Sequence, residues 1–203
     1  MGTVNVERVE WWVSRNVPSE YSYPVDLKKL PNKRAFDEVM GFVRDYDAWL
    51  DQGKKDGIVA FGKTGAGKTR SIYQLIMTSV KGNFFRCSDI QVTSAPDLAS
   101  KVRTMAIGNA KQLEYDLEKL AWSEYLFIDD LHQAKFTPRY AEELMRIIEK
   151  RYSAGNSTFI TCQVPGKALI NKLTGDSPQL REVAEAIVRR IRDMCEPIDF
   201  DAK

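Results

Sequence analysis

The sequence predicts an α/β fold of three layers, a parallel β-sheet sandwiched by helices. Three observations carry this expectation. Short apolar runs alternate along the chain with stretches of helical periodicity. Residues 62–69 read GKTGAGKT and fit the pattern G-x-x-x-x-G-K-[ST]. The run YLFIDD closes a second strand-like segment with two carboxylates, Asp129 and Asp130.

Residues 1–32 are mixed, with Pro18, Pro24 and Pro31 interrupting any long element, and read as an N-terminal extension. Trp11 and Trp12 are packing residues or a partner contact. Asn32 is placed to cap a helix over 33–50, whose apolar face is Phe36, Val39, Met40, Val43 and Trp49. A polar turn, Asp51 to Asp56, leads to a buried strand at Ile58–Phe61. After the glycine loop, Ile72, Leu75, Ile76 and Val80 form one helical stripe, and Gly82 marks its stop. Phe84–Cys87 reads as the second strand. Ser94 and Asp97 form a capping box for a helix with Leu98, Val102 and Met105 on one side, broken at Gly108.

A further helix carries Leu113, Leu117 and Leu120, and Tyr125–Ile128 is the next strand. Thr137 and Pro138 open a helix with Ala141, Leu144, Ile148 and Tyr152 facing inward. Ser157–Cys162 is a strand. Ser177 and Pro178 start the last helix, along which Val183, Ile187, Ile191 and Met194 recur, and Pro197–Phe200 is a final short strand. No internal repeat interrupts this order.

Composition narrows the function classes. A chain of 203 residues suits one domain with a short appendage, and a hydrophobic share of 43% supplies a real core. The formal net charge of +2 excludes a general polycation, so any nucleic-acid contact must come from a local patch. No stretch approaches a membrane span, and the N-terminus lacks the apolar region of a signal peptide. Cys87, Cys162 and Cys195 are too few and too far apart for a disulfide framework or a zinc site, and His132 is the only histidine. These features predict a cytoplasmic protein without a membrane partner.

The glycine loop is the strongest chemical signal. A strand before it and a helix after it give the context that phosphate binding needs. Gly62, Lys63, Thr64, Gly65, Ala66, Gly67, Lys68 and Thr69 would wrap a triphosphate. Their amide N–H groups converge on its oxygens, and the helix N-terminus adds partial positive charge. Lys68 would reach the β- and γ-phosphates, and the Thr69 hydroxyl would ligate Mg²⁺. The cofactors implied are ATP and Mg²⁺. Asp129 would hold the metal and Asp130 would orient or deprotonate the attacking water. The strand STFITCQVP ends at Gln163, whose amide could bond the γ-phosphate or that water; Thr161 is a second candidate.

Taken together, these segments resemble AAA+ ATPases of the DnaC/IstB type over about residues 16–200. NVPSEY resembles the segment entering the nucleotide pocket, FGKTGAGKT the Walker A loop and YLFIDDLH the Walker B strand. IIEKRY followed by STFITCQVP resembles the sensor-1 region, with Gln163 where the family usually has Asn. IVRRIRDMCEPIDF resembles the box that carries the arginine finger, at Arg190. The resemblance implies a P-loop AAA+ domain over 33–203, with residues 1–32 leading into the nucleotide pocket. No Ser-x-Arg-like sensor-2 segment follows the last strand, so the expectation includes a missing C-terminal lid and weak hydrolysis.

The family consists of replicative helicase loaders and transposition helper ATPases. The resemblance therefore implies a homo-oligomer in the ATP state, ATP at a subunit interface, a replicative helicase as partner and a role in DNA replication. It also places contact with single-stranded DNA within 91–112, where Lys101, Arg103 and Lys111 lie. Other classes stay open at this point: the transposition helper, a P-loop small-molecule or nucleotide kinase, and a module that uses ATP only as a switch.

Overall fold

The computed structural model describes residues 6–82, 84–175 and 177–202, without the side chains of 105–107. The expected inward face of Met105 therefore lies outside the described residues. Five strands form one sheet: β1 (Gly57–Phe61), β2 (Ile90–Ser94), β3 (Tyr125–Asp129), β4 (Ser157–Cys162) and β5 (Cys195–Asp199). Their order is β2-β3-β4-β1-β5 and every pairing is parallel. Each connection must then cross over the sheet, which explains the alternation of strand and helix in the sequence.

The sheet separates two apolar cores, and alternation along each strand feeds both. Val59, Leu126, Ile128 and Ile160 face one core, whereas Ile58, Ala60, Phe127 and Phe159 face the other. The first core is closed by α5 (Ala95–Gly108), α6 (Ala110–Trp122), α7 (Pro138–Ala154), α8 (Gly166–Thr174) and α9 (Arg181–Met194). The second is closed by α1 (Val6–Asn16), α2 (Lys33–Arg44), α3 (Tyr46–Asp51) and α4 (Lys68–Lys81). Leu75 and Ile76 on α4 are wholly buried, and each such side chain stabilises by about 1.5–3 kcal/mol relative to exposure.

The predicted caps form. The Asn32 side chain accepts from Ala35 N at 2.9 Å and donates to Phe200 O and Ala202 O, tying the start of α2 to the segment after β5. Ser94 and Asp97 bond each other at the start of α5. Thr137 caps α7, with Pro138 in its first turn.

Four details differ from expectation. Helix 33–50 is two helices, because Asp45 leaves the helical region and its carboxylate caps α3 at Ala48 N. Phe84–Cys87 is not a strand; Phe85 turns into the second core and stacks on Tyr125 at 3.6 Å, and β2 starts only at Ile90. Tyr152 faces outward, as its side chain flanks the stripe made by Leu144, Ile147, Ile148 and Arg151. A separate helix, α8, precedes the last one, and Pro178–Leu180 is a 3-10 turn before α9. Among the described residues no helix is long and apolar enough to cross a membrane.

Candidate functional site

The loop 62–67 leaves the C-terminal end of β1 and turns directly into α4. Three of its positions require glycine: Gly62, Gly65 and Gly67 have φ of 140°, 81° and 97°, which a side chain would strain. Gly67 is also the N-cap of α4, so the first amides of that helix point into the loop. Lys68 folds back into this ring. Its ammonium donates to Gly62 O at 2.7 Å and Lys63 O at 2.9 Å. The side chain is buried, and burial pulls its pKa below the usual lysine value, with Asp130 the strongest group opposing that shift.

Parallel pairing brings the ends of β3 and β4 to the same rim. Thr69 Oγ1 donates to Asp129 Oδ1 at 3.0 Å, and Thr161 Oγ1 donates to the same oxygen at 2.5 Å. Thr161 also accepts from Asp130 N at 2.8 Å, so one hydroxyl fixes both acidic residues. The Asp130 backbone is left-handed, with φ of 52°. Gln133 Nε2 holds its carboxylate at 2.7 Å. Burial, and then the neighbouring Asp129 charge, raise the Asp130 pKa. His132, buried beside it, places Nδ1 4.0 Å from Asp130 Oδ1, and neither ring nitrogen has a hydrogen-bond partner.

Lys68, Thr69, Asp130 and Gln133 line a cleft of about 310 Å³ together with Tyr21, Thr64, Arg70 and Gln163, and Asp129 and Thr161 stand behind it, bonded to Thr69 and to the Asp130 amide. Gln163 Nε2 donates to Thr64 Oγ1 at 3.0 Å, bridging the end of β4 to the loop. Tyr21 stacks on Tyr73 with centroids 5.1 Å apart, and Arg70 donates to Glu20 O. The segment NVPSEY is therefore bolted over the cleft mouth. The donor set at its acidic corner is a hydroxyl and carboxylates, oxygens that suit a hard cation. Among the described residues no group of three or more His, Cys, Asp or Glu could hold a metal alone, so Thr69 and Asp129 would need phosphate oxygens and water to complete a shell.

Arg190 is not brought to this cleft. It lies on α9 near the opposite rim, where its Nε bonds Glu149 at 2.8 Å and its guanidinium covers the Tyr152 ring at 4.4 Å. Lys101 is bonded to Asp116 at 2.8 Å, and Arg103 and Lys111 are exposed.

No protein-family model matches the sequence, and no curated protein matches it. Solved structures do match. The DnaC helicase loader superposes with a TM-score of 0.64 at 21% identity, covering 90% of this chain and 99% of that one. DnaI superposes with a TM-score of 0.69 at 19% identity, covering 90% and 94%. The chain has the AAA+ P-loop fold. The replication initiator DnaA, bound to AMPPCP and single-stranded DNA, extends the likeness with a TM-score of 0.59 at 17% identity, covering 90% of this chain and 50% of that one. At these identities the likeness is one of fold.

Sequence reasoning singled out Lys68, Thr69, Asp129, Asp130, Thr161 and Gln163, and the fold brings all six to one rim. It did not single out Tyr21, Gln133 or Lys172. Tyr21 lies in the segment NVPSEY, which carried a signal; Gln133 and Lys172 are ordinary polar residues in a turn and a helix, and nothing in their spacing marks them.

Proposed function

We propose that this chain binds Mg·ATP on residues 62–69 and hydrolyses it at a subunit boundary as a helicase-loader-type assembly factor. The observation that carries the reading is that Lys68, Thr69 and Asp130 line one cleft, with Asp129 and Thr161 hydrogen-bonded directly behind them. Lys68 already grips two carbonyls of its own loop and would exchange them for phosphate oxygens of higher charge. The Asp129 oxygen that now takes two hydroxyl protons would release Thr69 to the metal. Mg²⁺, when bound, neutralises charge on the phosphates. Asp130, held by Gln133, would align the attacking water and take its proton.

Arg190 sits far from its own cleft and so would serve a neighbour's, which requires a homo-oligomer in the ATP state. The fold shared with a helicase loader and with DnaI supports a replicative helicase as partner. Single-stranded DNA is a candidate second ligand by analogy with DnaA. Residues 1–32 would form the pocket's entrance, and 33–203 the ATPase domain.

Calorimetry with Mg·ATP on the wild type and on Lys68→Ala tests the binding step. Saturable heat lost in the variant is expected, and no heat with the wild type would overturn the reading. A pull-down with a replicative helicase, with and without ATP, tests the partner.

A further inference from the structure

Lys172 occupies the last turn of α8 and is exposed. Its Nζ donates to Gln163 Oε1. The other end of the same amide donates to Thr64 Oγ1 at 3.0 Å. Thr64 is the third residue of the phosphate loop, on the cleft wall with Gln163. The three residues thus form a chain from α8 through the end of β4 to the loop. Lys172 also lies close enough to buried His132 that its charge, after burial, is the largest influence lowering that imidazole.

A glutamine amide has an acceptor end and a donor end, and its χ3 torsion lets it turn over. An ammonium has donors and no acceptor. Lys172 therefore admits only one orientation, with Oε1 toward α8 and the NH₂ toward Thr64. That orientation presents donors to the part of the cleft where an anion would lie. Turned over, the amide would present its oxygen there and repel a phosphate. Resting on the nucleotide-binding reading above, we infer that Lys172 is a positioning residue which fixes the Gln163 amide donor-outward, and thereby makes the cleft discriminate a nucleoside triphosphate from a diphosphate. Because α8 packs on α9, this contact links occupancy of the cleft to the helix that carries Arg190.

The test measures ATP and ADP dissociation constants, with Mg²⁺, for the wild type, Lys172→Met, Lys172→Arg and Gln163→Leu, and for the double variant Lys172→Met/Gln163→Leu. Lys172 is exposed, so thermal melting should be unchanged. Lys172→Met should lower the preference for ATP over ADP about tenfold, the size of one charged hydrogen bond, with ADP affinity unchanged. Lys172→Arg should restore most of it. On the Gln163→Leu background, Lys172→Met should cost much less, because the residue it orients is gone. An unchanged ATP-to-ADP ratio in Lys172→Met, or equal losses on both backgrounds, would overturn this inference while leaving nucleotide binding intact. A wild type that binds neither nucleotide would instead sink the nucleotide reading itself.

Discussion

Thr161 and Asp129 share a hydrogen bond of 2.5 Å across neighbouring strands β4 and β3. The same hydroxyl accepts the Asp130 amide. A threonine two residues before the candidate sensor position therefore sets the geometry of both acidic residues. Thr161→Val keeps the shape but leaves that amide without its partner, which costs about 1–3 kcal/mol. The Mg²⁺ concentration needed for half-maximal ATP binding should rise about tenfold, and Thr161→Ser should restore it. A magnesium titration at fixed ATP reads both.

Asp130→Asn keeps a short side chain in the same backbone conformation but removes the carboxylate proposed as the base. ATP affinity should hold, while turnover falls about 10²–10⁴-fold. Parallel binding and phosphate-release assays separate the two effects; wild-type turnover would remove Asp130 from the chemistry.

Arg190 should act across subunits. Arg190→Ala and Lys68→Ala are each expected to be inactive alone. Random mixing pairs an intact loop with an intact arginine at about one interface in four. Phosphate release should then reappear in the mixture, and a mixture as silent as its parts would place Arg190 outside the active site.

Arg151 is wholly buried, and its partners are carbonyls and hydroxyls. Its guanidinium donates to Thr158 Oγ1, Leu120 O, Ser123 O, Glu124 O and Ser157 O, joining the ends of α6 and α7 to the starts of β3 and β4. Burial pulls its pKa down to about 9. Arg151→Leu should cost about 3–5 kcal/mol in urea unfolding, since it strands these carbonyls. Arg151→Lys should recover little, as an ammonium lacks the planar fork.

His132 ties stability to pH. Burial holds its pKa down at about 4, against 6.5 for a free imidazole. Between those values the unfolded chain binds more protons than the folded one, so stability rises with pH, is complete above about 6.5 and is lost as pH falls toward 4. The loss between pH 7 and 5 should be about 2 kcal/mol. His132→Phe should flatten this part of the profile in urea titrations.

Most of the fold was legible because its signals are local. The loop 62–69, the caps at Asn32, Ser94 and Thr137, and the apolar strands β1, β3 and β4 each announce themselves within a few residues. The misplaced second strand has a physical cause. Phe84 and Phe85 look like strand residues, but Phe85 fills an aromatic cluster with Phe42 and Phe159. The real β2, IQVTS, is an edge strand with only Ile90 buried, so it lacks an apolar signature. Helix α8 is short and bounded by Pro165 and Gly175, which read as a loop.

At the site, the residues that a motif names were legible, and those that orient them were not. The dual role of Thr161 depends on which strand ends become neighbours, Gln133 and Lys172 are polar residues whose short-range partners no motif marks, and Arg151 reads as one more cation on an amphipathic helix.

The left-handed turn at the second acidic residue restricts what chemistry this rim can carry. Asparagine and glycine tolerate such a bend, whereas valine or isoleucine would collide with the chain itself. The site is thus built for an acid on a one-carbon stalk. An engineer who wants the longer reach of glutamate there would have to recast the turn as well as the side chain.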